Sequence, residues 1–92
     1  MKLGKIVLLP FPFADANFRK VRPALIIGKT ANSYHDLLVC AISSSIPDHL
    51  TKVDIIVLPA PSNQLRVESC IKTDRIATIR ETQIVHELGE ID

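Results

Sequence analysis

Ninety-two residues leave room for one domain with a modest core, spanning 1–92, and none for separate catalytic and binding units. With 47% hydrophobic residues, 23% charged residues and a net charge of +1, the chain reads as a folded core and not as a disordered segment. Its two cysteines have no C-x-x-C spacing, which excludes a disulfide framework and a zinc site, and its longest apolar runs fall far short of the roughly 20 residues of a membrane helix.

The chain opens Met1-Lys2-Leu3-Gly4-Lys5 and reaches prolines at 10 and 12 instead of an apolar segment with a small-residue cleavage site, so a cytoplasmic protein is expected. Lys5 to Leu9 is the first β-type run. A loop with Phe11, Phe13, Phe18, Arg19 and Lys20 follows. Pro23 to Ile27 is the second run, with Arg22 at its mouth and Lys29 just beyond its end. Leu37 to Ile42 is the third and ends in the hydroxyl cluster Ser43-Ser44-Ser45. Val53 to Leu58, Val67 to Ile71 and Arg75 to Ile79 complete the expected strands. Cys40 and Cys70 fall within these runs and read as small buried hydrophobes. Pro10, Pro12, Pro23, Pro47, Pro59 and Pro61 all lie at or outside strand ends, where a missing amide donor is tolerated. Strands this short at this spacing predict a mainly β fold, a small barrel or a strongly bent sheet. After Ile79, Thr82 is placed to cap a turn or two of helix through Leu88, with Ile84, Val85 and Leu88 on one side and Gly89 ending it.

Charge is divided unevenly along these elements. Arg19, Lys20, Arg22 and Lys29 lie between Asp15 and Asp36 with no acid among them, whereas Glu81, Glu87, Glu90 and Asp92 close the chain. The split implies a basic surface that attracts an anion, set apart from an acidic end. Within the basic stretch, Arg22 has the planar fork that holds a phosphate in two places at once. A hydroxyl at the end of a second strand can steady the same phosphodiester. Ser43 is the first candidate, and Ser44 replaces it if the register is off by one, because successive strand residues face opposite ways.

If that phosphodiester belongs to RNA, cutting it without a metal must remove the 2′-hydroxyl proton, stabilise charge on the phosphoryl oxygens and help the 5′-oxygen leave. Arg22 suits the second task. Ser43 suits orientation and charge stabilisation, an ordinary serine being a poor base. For that chemistry single-stranded RNA is the fitting substrate, since its bases can be splayed and its backbone threaded through a basic groove. Phe18, between Asn17 and Arg19, is the stacking candidate, while Phe11 and Phe13 read as rings closing the barrel. Arg19, Lys20 and Lys29 add phosphate attraction without reading sequence, and Ser44 completes the RNA-binding set. His35 and His49 read as solvated loop residues and His86 as structural. Asp36, Asp48, Asp54 and Asp74 are scattered with no D-x-D or H-x-x-x-H pattern, so neither a metal nor any other cofactor is expected.

Gly4-Lys5-Ile6-Val7, then Val21-Arg22-Pro23-Ala24-Leu25-Ile26-Ile27, Val39-Cys40-Ala41-Ile42-Ser43 and Ile76-Ala77-Thr78-Ile79, taken in that order, resemble the MazF/PemK toxin family over nearly the whole chain. The resemblance implies an SH3-like barrel, usually a homodimer, acting as a metal-independent endoribonuclease of a type II toxin-antitoxin system and paired with an antitoxin. It matches Arg22 to the family's catalytic arginine and Ser43 to the position of its catalytic threonine or serine. The apolar side of the expected terminal helix, Ile84, Val85 and Leu88, is the expected dimer patch, with the antitoxin competing for the RNA surface. The rival reading is a non-catalytic small barrel that binds nucleic acid or protein.

Overall fold

The computed structural model describes residues 2–10, 21–31 and 36–91. Among these, six strands form one antiparallel sheet in the order β4-β5-β3-β2-β1-β6. They are β1 Lys5–Pro10, β2 Val21–Lys29, β3 Leu37–Ser43, β4 Asp54–Val57, β5 Ser69–Ile79 and β6 His86–Glu90. The first four coincide with expected strands to within two residues at either end, because each is an aliphatic run bounded by polar residues or proline.

Both faces of the sheet are apolar. Val7, Leu9, Ala24, Ile26, Leu37, Val39 and Ile79 form one buried cluster, and Ile6, Cys40, Ile42 and Ile71 form the other. Neighbours such as Ile6 and Val7 therefore serve different clusters, as the two-residue strand period requires. Each cluster needs its own cover, and the sheet curls to provide it. Ile84 packs on the first cluster, and Val57, Leu65, Leu88 and Ile91 pack on the second.

The sequence divides the fifth strand into two runs, yet the structure makes it a single element of 11 residues. Its register with β3 jumps from Cys40 opposite Ile76 to Ala41 opposite Lys72, which leaves Thr73, Asp74 and Arg75 without β3 partners. Those polar residues form a bulge, which bends the strand between its two aliphatic arms. Thr73 anchors the bulge by donating from its backbone N–H (2.9 Å) and its hydroxyl (2.8 Å) to the Val53 carbonyl. One arm then supplies Ile71 to the second cluster and the other supplies Ile79 to the first.

The expected helix from Thr82 to Leu88 does not form. Glu81–Gln83 makes a single 3-10 turn, in which the Arg80 N–H donates to Gln83 Oε1 at 2.8 Å, and the chain then extends into β6. Strand pairing prevails because β1 would otherwise present an open edge, and β-branched Ile84 and Val85 have little helical preference to oppose it. The Val85 N–H donates to the Leu8 carbonyl at 2.8 Å, and β6 pairs with β1 from Lys5 to Leu8. Lys5 reinforces the pair by contacting Glu87 (3.0 Å) and Glu90 (3.9 Å). Ile6 faces Gly89 and Val7 faces Glu87, so Leu88 is the extra residue of a bulge and packs into the second cluster. Ile84, Val85 and Leu88 thus form no common stripe: the first two lie before the strand, and Val85 is 63% exposed.

The curl brings the segment after β4 against β6. The Glu90 N–H donates to the Ser62 carbonyl at 2.9 Å, and a Cβ placed on Gly89 would collide with that carbonyl. This close approach across the two ends of the sheet makes the arrangement a small, barrel-like fold. Among the described residues, no helix is long and apolar enough to cross a membrane.

Candidate functional site

Proline opens the site. The Ile26 carbonyl accepts the Gly4 N–H at 2.8 Å and so turns toward β1, and backbone groups alternate sides along a strand. By that alternation the amide position of Pro23 faces β3, where it has no hydrogen to give. The β2–β3 ladder accordingly stops at Ala24 opposite Ala41, while β2 goes on pairing with β1 through Pro23, Arg22 and Val21. Beyond Ala24 the two strands are free to part. A cavity of about 330 Å³ lies at this end of the sheet, bordered by Arg22 and Pro23 of β2 and by Ile42 and Ser44 at the end of β3.

Leu8 and Leu88 supply apolar wall, and Gln64, Leu65, Arg66, Val67 and Ser69 close the remaining side. Apart from Ser69, which opens β5, this last group belongs to the turn between β4 and β5, which is organised by one buried side chain. Asn63 Oδ1 accepts from the N–H groups of Ala60 (3.0 Å) and Leu65 (2.9 Å), and its Nδ2 donates to the Leu58 carbonyl (3.0 Å). Gln64 takes a positive φ of 58° and donates its side-chain amide to the Pro61 carbonyl at 2.6 Å. With Ser62 bonded to β6, the turn is fixed before any ligand arrives.

Among the described residues, the cavity lining contains two arginines, hydroxyl and amide groups, and no Asp or Glu. None of the ion pairs among the described residues involves Arg22 or Arg66. Two exposed guanidinium groups beside an apolar hollow suit a ligand with negative charge and a flat hydrophobic part.

Ser43 ends β3 opposite Cys70. The β2–β3 register ends at Ala24 opposite Ala41, two residues short of Arg22 on one strand and of Ser43 on the other. The Ser43 Oγ accepts the Ser45 N–H at 3.1 Å, which orients the hydroxyl while leaving its own proton to donate. Ser44, rather than Ser43, borders the cavity. Lys29 stands seven residues beyond Arg22 at the other end of β2, roughly 23 Å away at about 3.3 Å per residue, so the strand does not bring it to the cavity. Phe18, Arg19 and Lys20 lie outside the described residues, as do Phe11, Phe13, Tyr34 and His35. His49 is exposed, and His86 is an exposed residue of β6 opposite Leu8. Among the described residues no three His, Cys, Asp or Glu side chains gather where they could hold a metal ion.

Arg66 and Asn63 escaped the sequence reading. Arg66 stands alone in a stretch that reads as an ordinary polar connection, and only the fold brings it to Arg22. Pro59-Ala60-Pro61-Ser62-Asn63 did carry a turn signal, with Asn in a position to bond neighbouring backbone.

The buried thiols stand apart from this chemistry. Burial pushes Cys40 up, and burial followed by the Asp54 charge pushes Cys70 up, so neither is an activated thiolate and neither borders the cavity. Asp54 is held below the ordinary aspartate range, first by the Thr51 N–H (3.0 Å) against the opposing effect of burial, then by the Thr51 hydroxyl (3.0 Å) and Lys72 (3.6 Å). It ties β4 to β5.

A family model described as PemK-like, MazF-like toxin of type II toxin-antitoxin system matches residues 2–92. No curated protein matches the chain.

Proposed function

The chain belongs to the PemK-like, MazF-like toxins of type II toxin-antitoxin systems, and from that footing we propose that it is an endoribonuclease that cuts single-stranded RNA without a metal ion. Membership of such a system brings an antitoxin protein as partner. The observation that carries the proposal is Arg22 on a cavity with no acid among its described lining residues, at the end of β2 and β3 where proline stops their ladder and Ser43 and Ser44 follow.

The proposed chemistry is an in-line displacement in which the ribose 2′-hydroxyl loses its proton to water and its oxygen bonds to the adjacent phosphorus. The bond to the 5′-oxygen of the next nucleotide breaks, and that oxygen takes a proton from water to leave as a 5′-hydroxyl. Charge accumulates on the two non-bridging oxygens as the new P–O bond forms. The Arg22 fork, with no carboxylate partner among the described residues, meets that charge with paired N–H donors. Ser43, oriented by the Ser45 N–H, donates its hydroxyl proton to the same phosphoryl group and fixes its attitude. Ser44 contacts RNA inside the cavity. Phe18, Arg19, Lys20 and Lys29 are proposed as further RNA contacts, giving stacking and phosphate attraction away from the reacting group. The proposed setting is the cytoplasm and the proposed assembly is a homodimer.

The test is cleavage of a long single-stranded RNA by the purified chain in the presence of a chelator. Arg22→Ala is expected to slow cleavage by about 100-fold or more, as loss of one preorganised donor to a developing oxyanion does. Arg22→Lys keeps the charge without the fork and is not expected to restore the rate. A chain that binds RNA and never cuts it would instead be the non-catalytic barrel.

A further inference from the structure

Arg66 has no task in the cleavage chemistry just described, yet it shares a cavity with Arg22. The two reach it from independent pieces of chain, the start of β2 and the turn between β4 and β5. Like charges collected at one hollow repel each other in the free protein, and an anion relieves both. Glu68, the acid nearest to Arg66 in the sequence, makes no ion pair among the described residues and does not line the cavity.

The backbone of Arg66 is held although its side chain is exposed. Leu65, the preceding residue, packs on the second buried cluster and gives its N–H to the buried Asn63, which is only 4% exposed. Ser62, four residues earlier, is bonded to β6. A guanidinium on so fixed a base loses less freedom on meeting a ligand than one on a loose loop. The hollow that the two arginines share is lined mainly by apolar residues, Leu8, Pro23, Ile42 and Leu65 among them. Two positive charges on an apolar hollow suit the repeat of a nucleic-acid strand, phosphate, nucleoside, phosphate.

We propose that Arg66 is a second phosphate-binding residue, which holds the RNA phosphate next to the one gripped by Arg22. The proposal rests on the ribonuclease reading above. Arg66 is a binding residue that sets the strand's position, while Arg22 stabilises the transition state.

The test uses the full chain and two measurements. Binding of an uncleavable RNA carrying 2′-O-methyl groups is followed against salt, and cleavage of the matching unmodified RNA gives KM and kcat. Arg66→Ala is expected to weaken binding about tenfold at low salt and to flatten the slope of log K against log salt by about 0.7, the value for one phosphate contact on a single strand. KM should rise by a similar factor while kcat stays within about twofold, the pattern of an interaction made equally in ground and transition states. Arg66→Lys should retain the slope. Replacing the adjacent phosphate by a neutral methylphosphonate should weaken the wild type and add nothing further in Arg66→Ala, since the two changes remove one contact. Additive losses, an unchanged slope, or a fall in kcat alone would overturn the proposal. If the wild type binds RNA but does not cut it, the ribonuclease reading fails, and the slope and phosphonate results still decide the contact at Arg66. The side chain is exposed, and unchanged thermal unfolding confirms that the variant folds.

Discussion

Ser43 and Ser44 are chain neighbours with different surroundings, because β3 ends between them. Ser43 is the last strand residue and is steadied by the Ser45 N–H, whereas Ser44 borders the cavity. Ser43→Ala is therefore expected to lower kcat and Ser44→Ala chiefly to raise KM. A silent Ser43→Ala beside a Ser44→Ala variant with lost kcat would assign the reacting hydroxyl to Ser44. Asp54 carries a second prediction at this scale. Its carboxylate is stabilised in the fold above all by the Thr51 N–H, so its pKa lies lower folded than unfolded. The stability it contributes is fully present above the ordinary aspartate pKa and is lost as pH falls through about 4 and below. Asp54→Asn should thus unfold at a lower temperature near neutrality and show a shallower acid decline than the wild type. Equal steepness from about pH 5 to pH 3 would contradict this role.

At the scale of elements, the aliphatic runs of β1 to β4 were legible because each carries its strand signal locally. The fifth was legible only as two separate runs and the last not at all, for two different reasons. Lys72-Thr73-Asp74 has turn-like composition, and only the Val53 carbonyl, 20 residues away, makes it a bulge in a continuous strand. Thr82 to Gly89 has helix-like caps, and only the open edge of β1 draws its later part into β6. Gly89 was read as a helix stop but serves a different purpose, since its missing Cβ lets the Ser62 carbonyl come close. Gly89→Ala should accordingly push the turn from β6 and lower Tm by about 5–15 °C, overpacking of this kind costing about 1–3 kcal/mol. RNA binding should weaken with it, because the displaced turn carries Arg66. A Tm within about 1 °C of the wild type would show that the approach is not a constraint.

At the scale of the whole molecule, the cavity joins residues from three distant stretches, Arg22, Ser44 and Arg66, which no local pattern can place side by side. Arg22 was legible before the fold because Arg-Pro at the start of an aliphatic strand is a visible motif. Arg66, beyond that turn signal, had no mark of its own until the curled sheet brought it round. The proposed homodimer no longer rests on a helical stripe, but among the described residues β4 is an edge strand, with Ile55 half exposed and Leu58, just past its end, 66% exposed, the kind of edge that a second chain covers. Light scattering at micromolar concentration should give about twice the 10.2 kDa mass of one chain, and a clean single-chain mass would contradict it. The central claim, that Arg22 drives metal-free cleavage of RNA, is tested most directly by incubating single-stranded RNA with the wild type and with Arg22→Ala under a chelator. The wild type should cut and Arg22→Ala should be slower by about 100-fold or more, whereas an inactive wild type, or a variant that cuts equally fast, would contradict the account.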